Sequence, residues 1–307
     1  MIGSALVFLG MALQSSGKVL YGTLLTSVST PLFVAIGITL TAAVFLTLVR
    51  LRLPTEGRFT LLLLNLWTAI SFICFFFALK HLPPAIFASI EIGTGLLTAV
   101  VLAGLQERAW PRATRMLACL GIVLGCAVLS FAEIAATELH PAGVMVWTAI
   151  GASVVAGATS VFGLGASRRL AMSGWTSRST LAHRFYLTIA VALVWLALYA
   201  PASSAPDSAS LAWILIVAAL VVLVPLLLFQ LAVRRIDEVT FMVCVAAQPI
   251  LTFIVSMPSP AYDWNTLTLI GVLIVTAFVG LDILTQQRAH RPASPAPSPV
   301  STAPRAV

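Results

Sequence analysis

Residues 59–79, FTLLLLNLWTAISFICFFFAL, run for twenty-one positions without a charged side chain, between Arg58 and Lys80. A helix of about 20 apolar residues, rising 1.5 Å per residue, spans the roughly 30 Å hydrocarbon core of a bilayer. A strand of a lipid-facing barrel would alternate apolar and polar positions, and this stretch is apolar on both. Comparable runs recur along the chain, interrupted by Arg, Pro, Gly, Ser and acidic residues. They predict ten helices at 2–25, 30–49, 59–79, 84–104, 114–133, 142–166, 181–200, 210–232, 238–257 and 265–286. The expected fold class is therefore an all-α membrane protein.

Composition points the same way. Of 307 residues, 60% are hydrophobic and 9% charged, against about 25% charged in soluble domains. Too few charges remain to solvate the surface of a soluble domain, so the apolar excess faces lipid. A soluble enzyme, a disordered chain and a nucleic-acid binder all fit this composition poorly. The net charge of +7 sits in short loops rather than on one basic face. Cys74, Cys119, Cys126 and Cys244 lie in apolar runs without a C-x-x-C pair, and His81, His140, His183 and His290 form no ligand-spaced cluster. No cofactor, metal site or phosphate loop is expected. The first segment lacks a basic start and carries Gln14 and Lys18 in its apolar run, so it reads as a span rather than a cleaved signal. Residues 287–307, rich in Pro, Ser and Ala, are expected to form a disordered cytoplasmic tail.

Orientation follows from the basic residues. With the amino terminus inside, the inner loops hold Arg50, Arg52, Arg58, Arg108, Arg112, Arg115, Arg168, Arg169, Arg178, Arg184, Arg234 and Arg235, and the tail adds Arg288, Arg291 and Arg305. That leaves only Lys18, within a span, and Lys80, outside, while Glu138, Asp207 and Asp263 fall in outer loops. This asymmetry predicts an even number of spans, both termini cytoplasmic, and a bacterial plasma membrane. A shift of 154 residues lays Ala78-Leu79-Lys80-His81-Leu82 over Ala232-Val233-Arg234-Arg235-Ile236 and Phe87 over Phe241. Five helices per repeat is an odd number, so the second copy would be inverted. Chance similarity between apolar helices is the competing account.

Ala78-Leu79-Lys80-His81-Leu82-Pro83-Pro84-Ala85, then Gln106-Glu107-Arg108 and a helix bearing Gly121 and Gly125, resemble the repeat unit of the drug/metabolite transporter superfamily, specifically its EamA-type family. Val233-Arg234-Arg235-Ile236, Gln248-Pro249 and Gly271 occupy the corresponding places in the second half. Within the family the likeness is to the threonine and homoserine exporters, through Ser15-Ser16-Gly17-Lys18 and Glu91-Ile92-Gly93-Thr94-Gly95-Leu96. Gly95 replaces the family's proline, and Gln248-Pro249 stands where the second repeat carries Glu-Pro. The resemblance implies ten transmembrane helices in two inverted five-helix repeats, 1–136 and 137–286. It also implies a secondary active exporter of a small amino acid or related metabolite, with protons as a coupling partner. Uptake or exchange of another solute, such as a nucleotide-linked sugar or an organic cation, is the alternative within transport; an intramembrane enzyme is the alternative outside it.

Ionisable groups at membrane depth cost about 2.5 to 3.5 kcal/mol on insertion scales, so each requires a reason. Lys18 and Glu91 each lie about seven residues from the outer end of their helix, about 10 Å deep. Gln14, Lys18 and Tyr21 share one face of the first helix, and Glu91, Thr94 and Thr98 share one face of the fourth. These stripes predict a water-accessible site in which Glu91 exchanges a proton or contacts a solute ammonium, and Lys18 attracts a carboxylate or tunes Glu91. A purely structural ion pair is the bland alternative. Gln248 and Thr252 supply the second repeat's side, with Asn65 and Trp67 as further lining candidates. His183 and Arg184 fall near the inner surface, where snorkelling is the default.

Overall fold

The computed structural model describes residues 2–24, 28–49, 56–107, 113–136, 144–199, 208–258 and separate helical positions between 266 and 281. The predicted tail 287–307 lies outside the described residues, as do Asp282, Arg288, Arg291 and Arg305.

Helices are the only regular elements among the described residues. They are α1 (Ile2–Leu24), α2 (Thr30–Leu48), α3 (Arg58–His81), α4 (Pro84–Glu107), α5 (Ala113–Ala136), α6 (Val144–Met172), α7 (Ser177–His183), α8 (Tyr186–Tyr199), α9 (Ser208–Ala218), α10 (Val224–Val233), α11 (Glu238–Val245) and α12 (Gln248–Ser256). Among the described residues, seven segments are long and apolar enough to cross a membrane: α1, α2, α3, α4, α6, the α7–α8 pair and the α9–α10 run. The apolar parts of α5 and of α11–α12 are shorter. By the length and composition of these helices the chain is a membrane protein. Helices suit such a chain because lipid offers no partner for an unpaired backbone N–H or C=O.

Three predicted helices are interrupted. The segment expected at 181–200 begins earlier, at Ser177, where the Thr176 hydroxyl accepts from Ser179 N at 3.1 Å. It then breaks at Arg184–Phe185. The segment expected at 210–232 widens into a π-turn over Ala219–Leu223 just before Pro225. Pro225 has no N–H to offer the Val221 carbonyl four residues back, and the Gln14 side chain of α1 donates to that carbonyl at 3.4 Å. The segment expected at 238–257 turns at Ala246–Ala247, ahead of Pro249, which likewise has no N–H for the Val245 carbonyl.

α3 runs along α6, and α1 along α10; α4 is held by both α5 and α6, and α2 by α7 and α8. One buried apolar cluster gathers Phe33, Phe75, Phe76, Phe87, Phe185 and Val222. A second gathers Ile92, Leu96, Cys126, Met242, Cys244 and Val275. At the far end of α6 the chain returns towards α3, and the Trp175 indole donates to the Glu56 carbonyl at 2.9 Å.

Gly121 and Gly125 are packing positions. A Cβ at Gly121 would overlap the Phe278 ring, and one at Gly125 would lie 2.6 Å from Val275 Cγ2. Gly121→Leu is expected to destabilise the bundle by about 1 to 3 kcal/mol through overpacking. Gly151→Leu, at a position with no neighbour within 4 Å, is expected to leave the melting temperature at or above wild type. Fluorescence-detected size-exclusion chromatography of heated samples compares the two.

Candidate functional site

Of the residues predicted to act at membrane depth, Gln14, Trp67, Glu91 and Gln248 line one cavity, of about 130 Å³. A single buried water requires about 10 to 15 Å³ measured in this way, so the space suits several waters or a small solute. α3 lines it with Trp67, Thr68, Ser71, Phe72 and Phe75, and α6 with Thr159, Ser160, Gly163, Leu164 and Ser167. Both sets recur every three to four residues, which places each on one face of its helix. α1 contributes Gln14, α4 contributes Glu91 and Ile92, α10 contributes Gln230, and Gln248 stands at the start of α12. Arg184 projects from the break between α7 and α8. Side chains from both halves of the chain therefore share one wall-lined space.

Lys18 and Glu91 form a salt bridge, Nζ to Oε2 at 3.1 Å. The Lys18 side chain is fully buried, whereas Glu91 keeps 13% of its side chain exposed and faces the cavity. The Lys18 ammonium also lies 5.0 Å from the Phe75 ring centroid and 4.9 Å from that of Phe87. Two aromatic faces at these distances supply cation–π attraction where water is excluded. The equal depth of the two residues thus ends in an actual contact between α1 and α4. α6 packs closely on the same turn of α4: a Cβ at Gly157 would collide with the Glu91 carbonyl oxygen.

Next to the pair, Gln248 Nε2 donates to Gln14 Oε1 at 2.7 Å, and the Thr252 hydroxyl donates to Ser15 Oγ at 3.0 Å. These bonds join α1 to α12. Gln14 and Gln248 line the cavity, while Thr252 is buried behind it.

The remaining predicted residues have other occupations. The Thr94 hydroxyl donates to the Ile90 carbonyl, and that of Thr98 to the Thr94 carbonyl at 2.8 Å. Both satisfy themselves on their own helix, as mid-helix threonines commonly do, and neither lines the cavity. Tyr21 is buried against Phe33 and Phe76, with ring centroids 4.8 and 5.5 Å away. Asn65 is a staple: Nδ2 donates to the Leu61 carbonyl at 3.0 Å and to the His183 carbonyl at 2.8 Å, and Oδ1 accepts from Leu187 N at 3.4 Å. Those bonds satisfy backbone groups on either side of the α7–α8 break. Trp67 does line the cavity and stacks on Phe162 with centroids 5.0 Å apart.

Arg184 and His183 do not snorkel. His183 is buried, with Nδ1 2.6 Å from the Tyr186 hydroxyl. The Arg184 guanidinium donates from Nη2 to Thr68 Oγ1 at 3.2 Å and lies over the Phe185 ring. Arg184 looks like an end-of-helix residue in the sequence because the residues before Leu181 are polar; the structure extends the segment by a full turn and draws Arg184 inward.

No protein-family model matches the sequence, and no curated protein matches it. Among solved structures, a protein known from a crystal structure is similar with a TM-score of 0.72, over 94% of this chain and 99% of that one, at 18% identity. At that identity the likeness concerns the fold.

The two members of the ion pair differ in what they leave behind. Glu91→Gln strands a charged, fully buried Lys18 and is expected to cost about 3 to 5 kcal/mol, the range for breaking a buried pair. Lys18→Met leaves Glu91 in contact with the cavity and is expected to cost less. The double variant Lys18→Met/Glu91→Gln is expected to recover part of the loss. Thermal melts of the four purified proteins give the coupling; additive losses would show that the pair contributes nothing.

Proposed function

We propose that this chain is a secondary active transporter of the drug/metabolite transporter type, exporting a small amino acid or related metabolite by alternating access. The reading includes ten spans in two inverted repeats, 1–136 and 137–286, both termini cytoplasmic, in a bacterial inner membrane. What carries it is the cavity itself: hydrophilic side chains from both halves, among them an ion pair at membrane depth, line one space large enough for a small solute. Polar groups in that setting are costly and default to a transport role.

The packing supports the inverted repeat. If α1 corresponds to α6, α2 to α7–α8, α3 to α9–α10 and α4 to α11–α12, each inter-half contact has a counterpart. α3 lies along α6, as α10 lies along α1; α4 packs on α6, as α12 packs on α1; α3 meets α8, as α9 meets α2. Two copies of one unit, related by a twofold axis in the membrane plane, would produce this reciprocity. Glu91 then takes the coupling role: it faces the cavity while Lys18 behind it holds the opposite charge, so binding or release of a proton there changes the strength of the α1–α4 tie.

Purified protein in liposomes with an imposed pH gradient, assayed with a panel of radiolabelled amino acids and small metabolites, tests the proposal. Wild type is expected to accumulate at least one solute against its concentration. Glu91→Gln, compared per mole of folded protein, is expected to lose gradient-driven accumulation by at least about tenfold, the effect of removing one coupling group. Equal accumulation by the two proteins would remove the coupling role from Glu91, and no flux of any solute under any gradient would remove the carrier reading.

A further inference from the structure

The cavity is asymmetric in charge and in hydrogen bonding. At one end Glu91 is already matched by Lys18 at 3.1 Å. At the other, Arg184 has no carboxylate within salt-bridge distance among the described residues. Nη2 donates to the Thr68 hydroxyl, and Nε is shielded and has no partner among the described residues. Gln230 Nε2 and Ser167 Oγ, which line the same cavity and belong to residues 2% exposed, are also buried without a partner. A guanidinium N–H and an amide NH₂ are donors, and a hydroxyl can donate. The two ends of the cavity are separable: Thr68 and Phe75, which mark them on α3, are seven positions apart, about 10 Å along the helix axis.

Buried donors left unpaired cost free energy, and a buried cation costs more. Three such groups from α6, α10 and the α7–α8 break, on one cavity, are complementary to a compact acceptor with several lone pairs and a negative charge. The helix ends do not decide the sign here, because the carbonyl end of α7 and the amide end of α8 meet at Arg184 and offset each other. The guanidinium itself sets it. With Lys18 and Glu91 cancelling, Arg184 leaves the cavity at a formal charge of plus one.

We propose that Arg184, with Ser167 and Gln230, is the anchor for a solute carboxylate, so that the transported compound is a small carboxylic acid or amino acid rather than an organic cation. This rests on the carrier reading above and specifies its substrate class. Arg suits the role because its planar fork matches a carboxylate in a bidentate manner, which a lysine ammonium does not. Glu91, towards the other end of the cavity, is already matched by Lys18 at 3.1 Å and is left without that anchoring role. Glu91 therefore acts on coupling, and Arg184 on affinity.

Binding is measured apart from transport. Purified wild type in detergent is melted with short-chain monocarboxylates, dicarboxylates and α-amino acids, each beside its methyl ester, and with choline; the concentration dependence of the melting shift gives an apparent Kd. At least one carboxylate is expected to stabilise the protein, with its ester and choline at least about tenfold weaker. Arg184→Lys is expected to weaken carboxylate binding about tenfold and Arg184→Gln by more than about thirtyfold, the loss of a charge-assisted contact. Ser167→Ala leaves the Arg184–Thr68 contact in place and is expected to weaken binding several-fold, so the inference survives a poorly folding Arg184 variant. Equal stabilisation by ester and acid, by choline, or of Arg184→Gln and wild type, or no stabilisation by any carboxylate, would overturn the proposal. Flux in liposomes with a cationic solute alone would retain the carrier and reject the carboxylate anchor.

Discussion

A backbone group in hydrocarbon has no water to turn to, and that constraint organises this molecule. Regular helices satisfy it wherever the chain meets lipid. Among the described residues the predicted spans are interrupted at the α7–α8 break, at the π-turn before α10 and at the turn between α11 and α12; at the first and last of these Arg184, Val245 and Gln248 line the cavity. At the first, Asn65 takes the His183 carbonyl and the Leu187 amide. At the second, Gln14 takes the Val221 carbonyl. At the third, Gln248 turns its side chain to Gln14. Irregular backbone at membrane depth is tolerated where protein or a water-filled space can satisfy it, and here Gln14, which takes one such carbonyl, also lines the site.

The electrostatics follow from the same enclosure. Lys18 is fully buried between two phenylalanine rings and one carboxylate, a setting in which removing a partner costs more than the pair itself contributes. Glu91 has the cavity on its other side, so only one member of the pair is free to meet solvent or solute. Arg184 has the cavity and a neutral threonine. Arg184 and Glu91 thus stand at the cavity wall with Lys18 directly behind Glu91, two cations and one anion around one space.

Much of this was legible in the residues. Apolar runs located the seven segments that are long enough to span among the described residues, since membrane thickness fixes the length required. Equal depth along α1 and α4 brought Lys18 opposite Glu91, and helical spacing placed Gln14 beside them. Less was legible where a local alternative competes. Thr94 and Thr98 fall on the face of Glu91 by spacing, yet each spends its hydroxyl on the preceding turn of its own helix. Asn65 was predicted as lining and instead holds a backbone break that no Pro or Gly announces. Arg184 was assigned to a helix end because its inward position depends on Asn65 and Thr68, more than a hundred residues away in sequence. Polar spacing therefore locates the helices that surround a wet space more reliably than it separates the side chains facing it from those satisfied on their own backbone.

The reciprocity of the packing bears on how such a bundle moves. α1 touches α10, α11 and α12, and α4 touches α6, α11 and α12, while the Lys18–Glu91 pair ties α1 to α4 within one half. Moving the halves apart at the Glu91 end can keep that pair, because both partners travel together, but must part Gln14 from Gln248 and Ser15 from Thr252. Those are single neutral hydrogen bonds, each with a net value of about 0.5 to 1.5 kcal/mol, whereas parting the ion pair would strand the buried Lys18 at a cost of about 3 to 5 kcal/mol. The strong contact thus holds one half together, and the weak ones lie on the seam where an opening would run.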